Sequence, residues 1–195
     1  IGGDTSEGKN LDANASVVID FSTRPAEVVA TFEDNQMGPD IFGHEMIREG
    51  NMYGECFFVP EVNNTGYAAV AEMVRLGYTN LYIREIKNQA TDIQQNKTKR
   101  FYGWRTTAAN KYDAFAAFRT AVQDGDLVIY DKALLYECYH YRLQDLHITR
   151  ADEGATRHFD KLTAAVLAWQ GMESADYSKD EEDKLFISHQ SPGRY

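Results

Sequence analysis

Residues 15–32 read ASVVIDFSTRPAEVVATF, and they contain two β-rich runs, 15–21 and 26–32, on either side of a turn at Thr23-Arg24-Pro25. Valine and isoleucine are enriched in strands, and proline marks a turn, so this segment predicts a strand pair. A shorter strand that ends at Asp4 precedes it. The three runs together predict an antiparallel meander at the start of the fold.

Helices and strands alternate after the meander. Five helices are expected at about 39–48, ended by Gly50; 66–76, with Thr65 as N-cap and Gly77 as stop; 112–122, capped by Thr107 or Asn110; 132–141; and 160–169. Further strands are expected at 55–59, 80–84, 127–130 and 146–150. This order predicts an α/β, ribonuclease-H-like fold, in which a central mixed sheet is flanked by helices and the first and fourth strands are adjacent.

Length and composition indicate one ordinary globular domain. The chain has 195 residues, of which 43% are hydrophobic, and no apolar run is long enough for a membrane span. Cys56 and Cys138 lack the spacing of a zinc site or a disulfide framework, so we expect both to be reduced core residues in a cytoplasmic setting. We expect a core over about residues 1–170 and an acidic tail over 171–195.

Three carboxylates stand at the boundaries of predicted elements: Asp4 ends the opening strand, Glu61 follows the strand at 55–59, and Asp160 begins the last helix. A side chain at such a boundary can face a cleft while the apolar face of its element stays buried. Divalent ions that cleave phosphodiesters need converging oxygen ligands of this kind. We expect Asp4 and Glu61 to meet on adjacent strands and the last helix to add Asp160.

Each of these carboxylates also has an ordinary structural interpretation. Asp4 follows Gly2-Gly3 and Glu61 precedes two asparagines, so both resemble turn residues. Asp160 suits the first turn of a helix, where an acid offsets the macrodipole. Only their joint placement favours a catalytic site.

The formal net charge of −10 argues against a polyanionic partner, but the charge is unevenly distributed. No acid occurs between Asp92 and Asp113, and aromatic residues are interleaved with cations in this stretch. The candidate DNA-binding residues of this basic segment are Lys97, Lys99, Arg100, Arg105 and Lys111. The pattern is typical of a nucleic-acid-binding surface, and a solvated loop with packed aromatics is the alternative.

Six segments in order resemble the nuclease domain of the large terminase subunit of tailed bacteriophages, which belongs to the ribonuclease-H-like superfamily. The segments are Gly2-Gly3-Asp4-Thr5-Ser6-Glu7-Gly8 with Asp12, Val59-Pro60-Glu61-Val62-Asn63-Asn64-Thr65-Gly66, Asn80-Leu81-Tyr82, Gly103-Trp104-Arg105-Thr106-Thr107 with Lys111, Leu134-Leu135-Tyr136-Glu137 and His158-Phe159-Asp160-Lys161-Leu162. The last motif departs from the family, which commonly has two adjacent aspartates where this chain has Phe159 and Asp160. The resemblance covers the chain up to about Trp169.

The resemblance implies a metal-dependent endonuclease that cuts concatemeric viral DNA during genome packaging. Two divalent ions, Mg²⁺ or Mn²⁺, would share Asp4, with Glu61 and Asp160 each favouring one ion and Asp12 and His158 as further candidate ligands. The implied partners are double-stranded DNA, an ATPase domain that precedes this one in the same polypeptide, the portal and the small terminase subunit, with no membrane. The implied location is the cytoplasm of an infected bacterial host.

Two other classes of function remain open. One is a catalytically weak ribonuclease-H-like module that binds DNA or docks on a portal. The other is a resolvase or an exonuclease of the same fold. Metal-dependent cleavage separates an endonuclease from a binding module, and the form of the preferred substrate separates it from a resolvase or an exonuclease.

Overall fold

The computed structural model describes residues 1–6, 13–63, 65–86, 99–142, 144–145 and 158–174. Within these ranges the strands are β1 (Gly2–Asp4), β2 (Asn14–Asp20), β3 (Ala26–Asp34), β4 (Val59–Pro60), β5 (Ile83–Ile86), β6 (Lys99–Tyr102) and β7 (Leu127–Ile129). The helices are α1 (Pro39–Met52), α2 (Gly66–Arg75), α3 (Ala108–Asp124), α4 (Lys132–His140) and α5 (Asp160–Gln170). A 3₁₀ turn at Gly171–Glu173 follows α5. None of the described helices is long and apolar enough to cross a membrane.

A five-stranded mixed sheet has the order β4-β1-β2-β3-β7. Strands β1, β2 and β3 pair antiparallel, which confirms the predicted meander. Strand β4 pairs with β1 in the parallel direction, and β7 does the same with β3. The predicted adjacency of the first and fourth strands is therefore confirmed, and the chain has an α/β fold.

Helices cover both faces of this sheet. Strand β2 is central and almost fully buried, so its side chains alternate between two cores: Val17 packs with residues of α3, α4 and α5, and Val18 packs with α1 and α2. The residues at 15 and 17–19 are apolar and contact both layers, and Ser16 between them is also buried. The architecture thus has three layers, with α5 lying directly on β1 and β2.

Gly2 and Gly3 let both helical layers approach β1 closely. A Cβ atom at Gly2 would lie 2.0 Å from the carbonyl oxygen of Ala164, and one at Gly3 would lie 2.9 Å from the ring of Phe58. No side chain fits at either position, which explains why glycine occurs twice in this strand. The two glycines therefore do not indicate a turn. Asp4 is the first residue of this strand that can carry a functional side chain.

Gly50 does not end α1, which continues to Met52. A Cβ atom at Gly50 would lie 2.3 Å from the hydroxyl oxygen of Tyr78, so this glycine serves a close contact between α1 and the segment after α2. The expectation of a helix end there was wrong. Gly77 has a φ of 89° just after α2, as expected of a glycine that follows a helix end.

Other boundaries differ by a few residues. The strand predicted at 55–59 is the shorter β4, and the one predicted at 80–84 is shifted to β5. Thr107 caps α3 through a reciprocal pair of hydrogen bonds with Asn110, so α3 begins at Ala108 and not at 112. The strand predicted at 146–150 lies outside the described residues, as do residues 175–195 of the predicted acidic tail.

A two-stranded ribbon lies beside the main sheet. Strands β5 and β6 pair antiparallel, and β6 falls within the basic segment, for which a solvated loop was the alternative interpretation. The ribbon joins the edge of the sheet through bridges that pair Phe58 with Leu81 and Glu61 with Trp104. Part of the basic segment is thereby attached to the strand that carries Glu61.

Candidate active site

Asp4 and Glu61 lie side by side at the carboxyl ends of two neighbouring parallel strands. The register pairs Gly3 with Pro60, and the amide of Glu61 donates to the carbonyl oxygen of Gly3 at 2.8 Å. Both residues are only 6% exposed. Two buried carboxylates at the same edge of a sheet repel each other unless cations compensate them, so this pair is an unusual feature for a purely structural element.

Asp160 lies at the same end of the sheet, on the other side of β1. Its Oδ2 atom accepts a hydrogen bond from the amide of Ala13 at 2.9 Å, and Asp4 pairs with Ala15 two residues further along. The amino end of α5 therefore points toward the ends of β1 and β4. The three predicted catalytic carboxylates share one end of the fold, in the order Glu61, Asp4, Asp160 across it.

These three carboxylates do not form one compact cluster. Among the described residues, no group of three or more histidine, cysteine, aspartate or glutamate side chains is close enough to hold a metal ion. Asp160 instead lines a cavity of about 500 Å³ together with His158, Glu33 and Asp34. The candidate ligand Asp12 lies outside the described residues, in the connection between β1 and β2.

Lys111 faces the carboxylate pair from α3. Burial lowers the pKa of its ammonium group, and the neighbouring carboxylates of Glu61, Asp4 and Asp145 oppose that shift. The ammonium nitrogen also lies 5.9 Å from the centre of the Phe115 ring. Lys111 was expected to contact DNA as part of an exposed surface, whereas the structure gives it a half-buried position beside Asp4 and Glu61.

Residues that follow Glu61 closely in the sequence hold its side chain and backbone in place. The side-chain amide of Asn63 donates to Oε1 of Glu61 at 3.0 Å, and Gly66 allows the first turn of α2 to approach the Glu61 carbonyl oxygen. The hydroxyl of Thr65 donates to the carbonyl oxygen of Thr5 at 3.4 Å, which joins the start of α2 to the residue after Asp4. The helix start thus fixes both carboxylate-bearing segments.

The start of α5 is supported by two charged contacts. Oε2 of Glu137 accepts from the amide of Leu162 at 2.8 Å, and the buried ammonium group of Lys161 lies 3.1 Å from Oε2 of Glu33. Burial raises the pKa of Glu137 to about 7, and nearby Asp160 adds to the rise. Glu137 therefore supports the amino end of α5.

Phe159 occupies the place where the resembling family commonly has a second aspartate. Its ring meets the ring of Tyr141 edge-on with centroids 5.0 Å apart, and Tyr141 stacks on Phe115 with centroids 4.8 Å apart. Phe115 is the ring beneath Lys111. Phe159 therefore adds an aromatic link between the start of α5 and the lysine of α3.

The remaining basic residues are dispersed. Arg100 is exposed on β6 and forms an ion pair with Glu85 at 2.9 Å, and Arg105 is exposed just before α3. Lys99 lies in β6, and Lys97 is outside the described residues. Among the described residues of the basic segment, Lys111 is the one brought next to the carboxylates.

Two supporting residues were missed by the sequence interpretation. Asp145 is buried, and its Oδ2 atom accepts from the amide of Arg142, near Lys111. Asn63 was treated as a turn residue, although its position two residues after Glu61 was a usable signal. Asp145 had no such signal, because its place next to α3 depends on long-range packing.

The donor atoms at Asp4 and Glu61 fit a hard divalent cation. Carboxylate oxygens are the ligands that Mg²⁺ and Mn²⁺ prefer, and Asp4 and Glu61 place such oxygens at the ends of two neighbouring strands. Asp4 and Glu61 would hold such an ion. Asp160 accepts a hydrogen bond from the backbone amide of Ala13. It would therefore coordinate an ion only together with further ligands.

Comparison with known proteins does not assign a family to the chain. No protein-family model matches the sequence, and no curated protein matches it significantly.

Proposed function

We propose that this chain is a metal-dependent DNA endonuclease with a ribonuclease-H-like fold, similar to the nuclease domain of large terminase subunits. The observation that carries the proposal is the burial of Asp4 and Glu61 side by side at the ends of parallel strands, with Asp160 at the same end of the sheet. The sheet order supports it as well, because the first and fourth strands are parallel neighbours and end beside each other.

Bound divalent ions would supply Lewis-acid chemistry and lower the pKa of a water molecule that attacks phosphorus. The side chains of the protein have separate tasks. Asp4 and Glu61 would hold the cations, and Asn63 fixes the orientation of the Glu61 carboxylate through its amide. Lys111 places a positive charge at the pair, where a phosphate of the DNA backbone must approach.

The basic residues would hold the rest of the backbone. Arg100 and Arg105 are exposed, and the ribbon of β5 and β6 is joined to the strand of Glu61. Contacts from such residues to phosphates carry no sequence information, so we expect cleavage with little sequence preference. A chain with a net charge of −10 should bind DNA weakly by itself, with the ATPase domain, portal and small subunit as the expected partners in an infected bacterial cell.

The test is cleavage of supercoiled plasmid in EDTA, Mg²⁺ and Mn²⁺. Asp4→Asn and Glu61→Gln keep the shape of each side chain and remove its charge, so both variants should lose nicking and linearisation while they stay folded by circular dichroism. Asp113→Asn is the matched control, because Asp113 is an exposed carboxylate on α3. An exonuclease would spare the closed circle, and a resolvase would prefer a four-way junction.

A second candidate function is a catalytically weak module that binds DNA or docks on a portal. It is favoured by the hydrogen bond from Ala13 to Asp160, which gives this carboxylate a structural role at the start of α5. Under this alternative the wild-type protein leaves the plasmid intact in every condition. Isothermal titration with Mn²⁺ then separates a metal-binding module from one that binds no metal.

A further inference from the structure

The outer face of α4 carries large side chains that no other described residue covers. Because residues four apart lie on one face of a helix, Lys132, Tyr136 and His140 form one row, and Leu135 and Tyr139 form a second row beside it. Tyr136 is 65% exposed and Tyr139 is 74% exposed. We call these five residues, together with the exposed Arg142 just beyond the helix, the α4 platform.

The rings of the α4 platform are held in place by local contacts. The rings of Tyr136 and His140 have centroids 3.9 Å apart, and Nδ1 of His140 lies 2.8 Å from the carbonyl oxygen of Tyr136. The guanidinium carbon of Arg142 lies 6.0 Å from the centre of the Tyr139 ring, and Nη1 of Arg142 donates to the Tyr139 carbonyl oxygen at 2.6 Å. Exposed rings that are already ordered lose little entropy when they bind a flat partner.

The charge of this surface is opposite to that of the whole chain. Lys132 lies at one end of the platform and Arg142 is exposed at the other. Glu137 is the single acid in the sequence of α4, and it turns away to accept from Leu162. Asp131 is similarly engaged, since it accepts from the amide of Leu134 at the start of the helix. The platform therefore combines aromatic rings with cations in a protein of net charge −10.

The platform is continuous with the candidate active site. Tyr141 follows α4 directly and stacks on Phe115, whose ring lies below Lys111. Asp145 bonds the amide of Arg142 and also lies near Lys111. Among the described residues, Tyr141, Phe115 and Asp145 thus connect the end of the platform to Lys111 beside the carboxylate pair.

We propose that the α4 platform binds an unpaired DNA strand, with Tyr136 and Tyr139 stacking on bases and with Lys132 and Arg142 next to phosphates. This inference rests on the proposed function, because it assumes that DNA is bound at Asp4 and Glu61 and specifies that the strand leading there is unpaired. Aromatic rings stack on bases of any sequence, and flanking cations follow the backbone. The cations favour nucleic acid over an apolar protein segment, and the exposed rings, which can stack on bases, favour it over an acidic one.

The test is fluorescence anisotropy of fluorescein-labelled oligothymidylate, measured in EDTA at low salt so that the probe is not cut. Replacement of Tyr136 and Tyr139 by alanine should weaken binding by about tenfold for each ring, since stacking contributes about 1–3 kcal/mol per base. Phenylalanine at both positions should retain the affinity, and leucine at both should not. Tyr53→Ala is the control, because Tyr53 is exposed at the end of α1 on the opposite face of the sheet.

Several results would overturn the inference: no binding of the oligonucleotide by the wild type, unchanged binding by the double alanine variant, or full retention by the double leucine variant. The last result would indicate an apolar docking surface for a protein. Plasmid cleavage measured in parallel keeps the two proposals apart. If cleavage depends on Asp4 but the double alanine variant binds the oligonucleotide as the wild type does, the platform is refuted and the endonuclease proposal stands. If the double alanine variant loses binding but the wild type does not cleave the plasmid, the endonuclease proposal alone is refuted.

Discussion

The amide of Glu61 donates to the carbonyl oxygen of Gly3 at 2.8 Å, and this one bond of the sheet brings Glu61 next to Asp4. The pairing of β1 with β4 thereby joins two acids that are far apart in the sequence. Since both are buried, nearby positive charge opposes their mutual repulsion, and Lys111 supplies one such charge. The predictions on metal binding and on Lys111 both follow from this repulsion.

Divalent metal should stabilise the folded protein. A ligand that binds only the native state adds about 2.7 kcal/mol at a concentration one hundred times its Kd, so the midpoint of thermal unfolding should rise with Mn²⁺ or Mg²⁺. Asp4→Asn should remove most of that rise, because it deletes the carboxylate at the centre of the group. Differential scanning calorimetry with and without metal measures the effect, and an equal rise in Asp113→Asn and the wild type is the expected control result.

Lys111→Met should reduce cleavage far more than Arg100→Met. Lys111 lies beside Asp4 and Glu61, whereas Arg100 is exposed and already paired with Glu85. Loss of a charge that acts on the reacting phosphate costs about a hundredfold in rate, while loss of one exposed phosphate contact mainly weakens binding. Single-turnover cleavage together with DNA affinity at two salt concentrations separates these effects. Equal losses of rate in the two variants would remove Lys111 from the site.

The sequence predicts the layered order of this fold well, because the decisive signals are local. The β-rich runs of 15–32 and the turn between them predict the meander, and the central strand β2 carries apolar residues on both faces. The site carboxylates are predictable for a similar reason, since Asp4, Glu61 and Asp160 stand where elements begin or end. Whether they belong to a ribonuclease-H-like endonuclease stays a prediction.

Features that depend on packing between distant segments escape sequence reasoning. Gly50 has the pattern of a helix stop. It lies inside α1 instead, where the close contact with Tyr78 leaves no room for a side chain. Lys111 belongs by sequence to a basic surface, and only the packing of α3 beside β1 and β4 gives it a half-buried place among acids. Asp145 carries no local signal, because its role comes from contact with Arg142 and proximity to Lys111.

Gly66→Ala should destabilise the protein and disturb Glu61. A Cβ atom at Gly66 would lie 1.9 Å from the Glu61 carbonyl oxygen, so either α2 or the segment of Glu61 must move. Forced overpacking of this kind costs about 1–3 kcal/mol, which urea unfolding measures. Gly38→Ala is the matched control, because its Cβ would meet only the carboxylate of Asp40 at 3.0 Å, and that side chain can rotate. Cleavage should fall in the first variant and persist in the second.

Glu49→Gln should stabilise the protein increasingly as the pH rises from acidic to neutral. Glu49 is buried at the end of α1, and burial raises the pKa of its carboxyl group, although the hydroxyl of Ser16 donates to Oε2 at 2.6 Å and opposes the rise. A group whose folded pKa is raised contributes stability below its unfolded pKa and loses it as the pH climbs through the folded value. Glutamine keeps an acceptor for Ser16 and has no proton to lose.

Glu45→Gln, on the same helix, should instead destabilise the protein increasingly as the pH rises from acidic to neutral. Arg48 bonds Glu45 and lowers its pKa, so the stability that Glu45 contributes is present above its unfolded pKa and is lost as the pH falls through the lower folded value. Urea unfolding gives the free energy of unfolding of both variants across this pH range. Relative to the wild type, this free energy should rise toward neutral pH for Glu49→Gln and fall for Glu45→Gln. The burial of an ionised Glu49 would be refuted if the difference for Glu49→Gln stayed constant across the range.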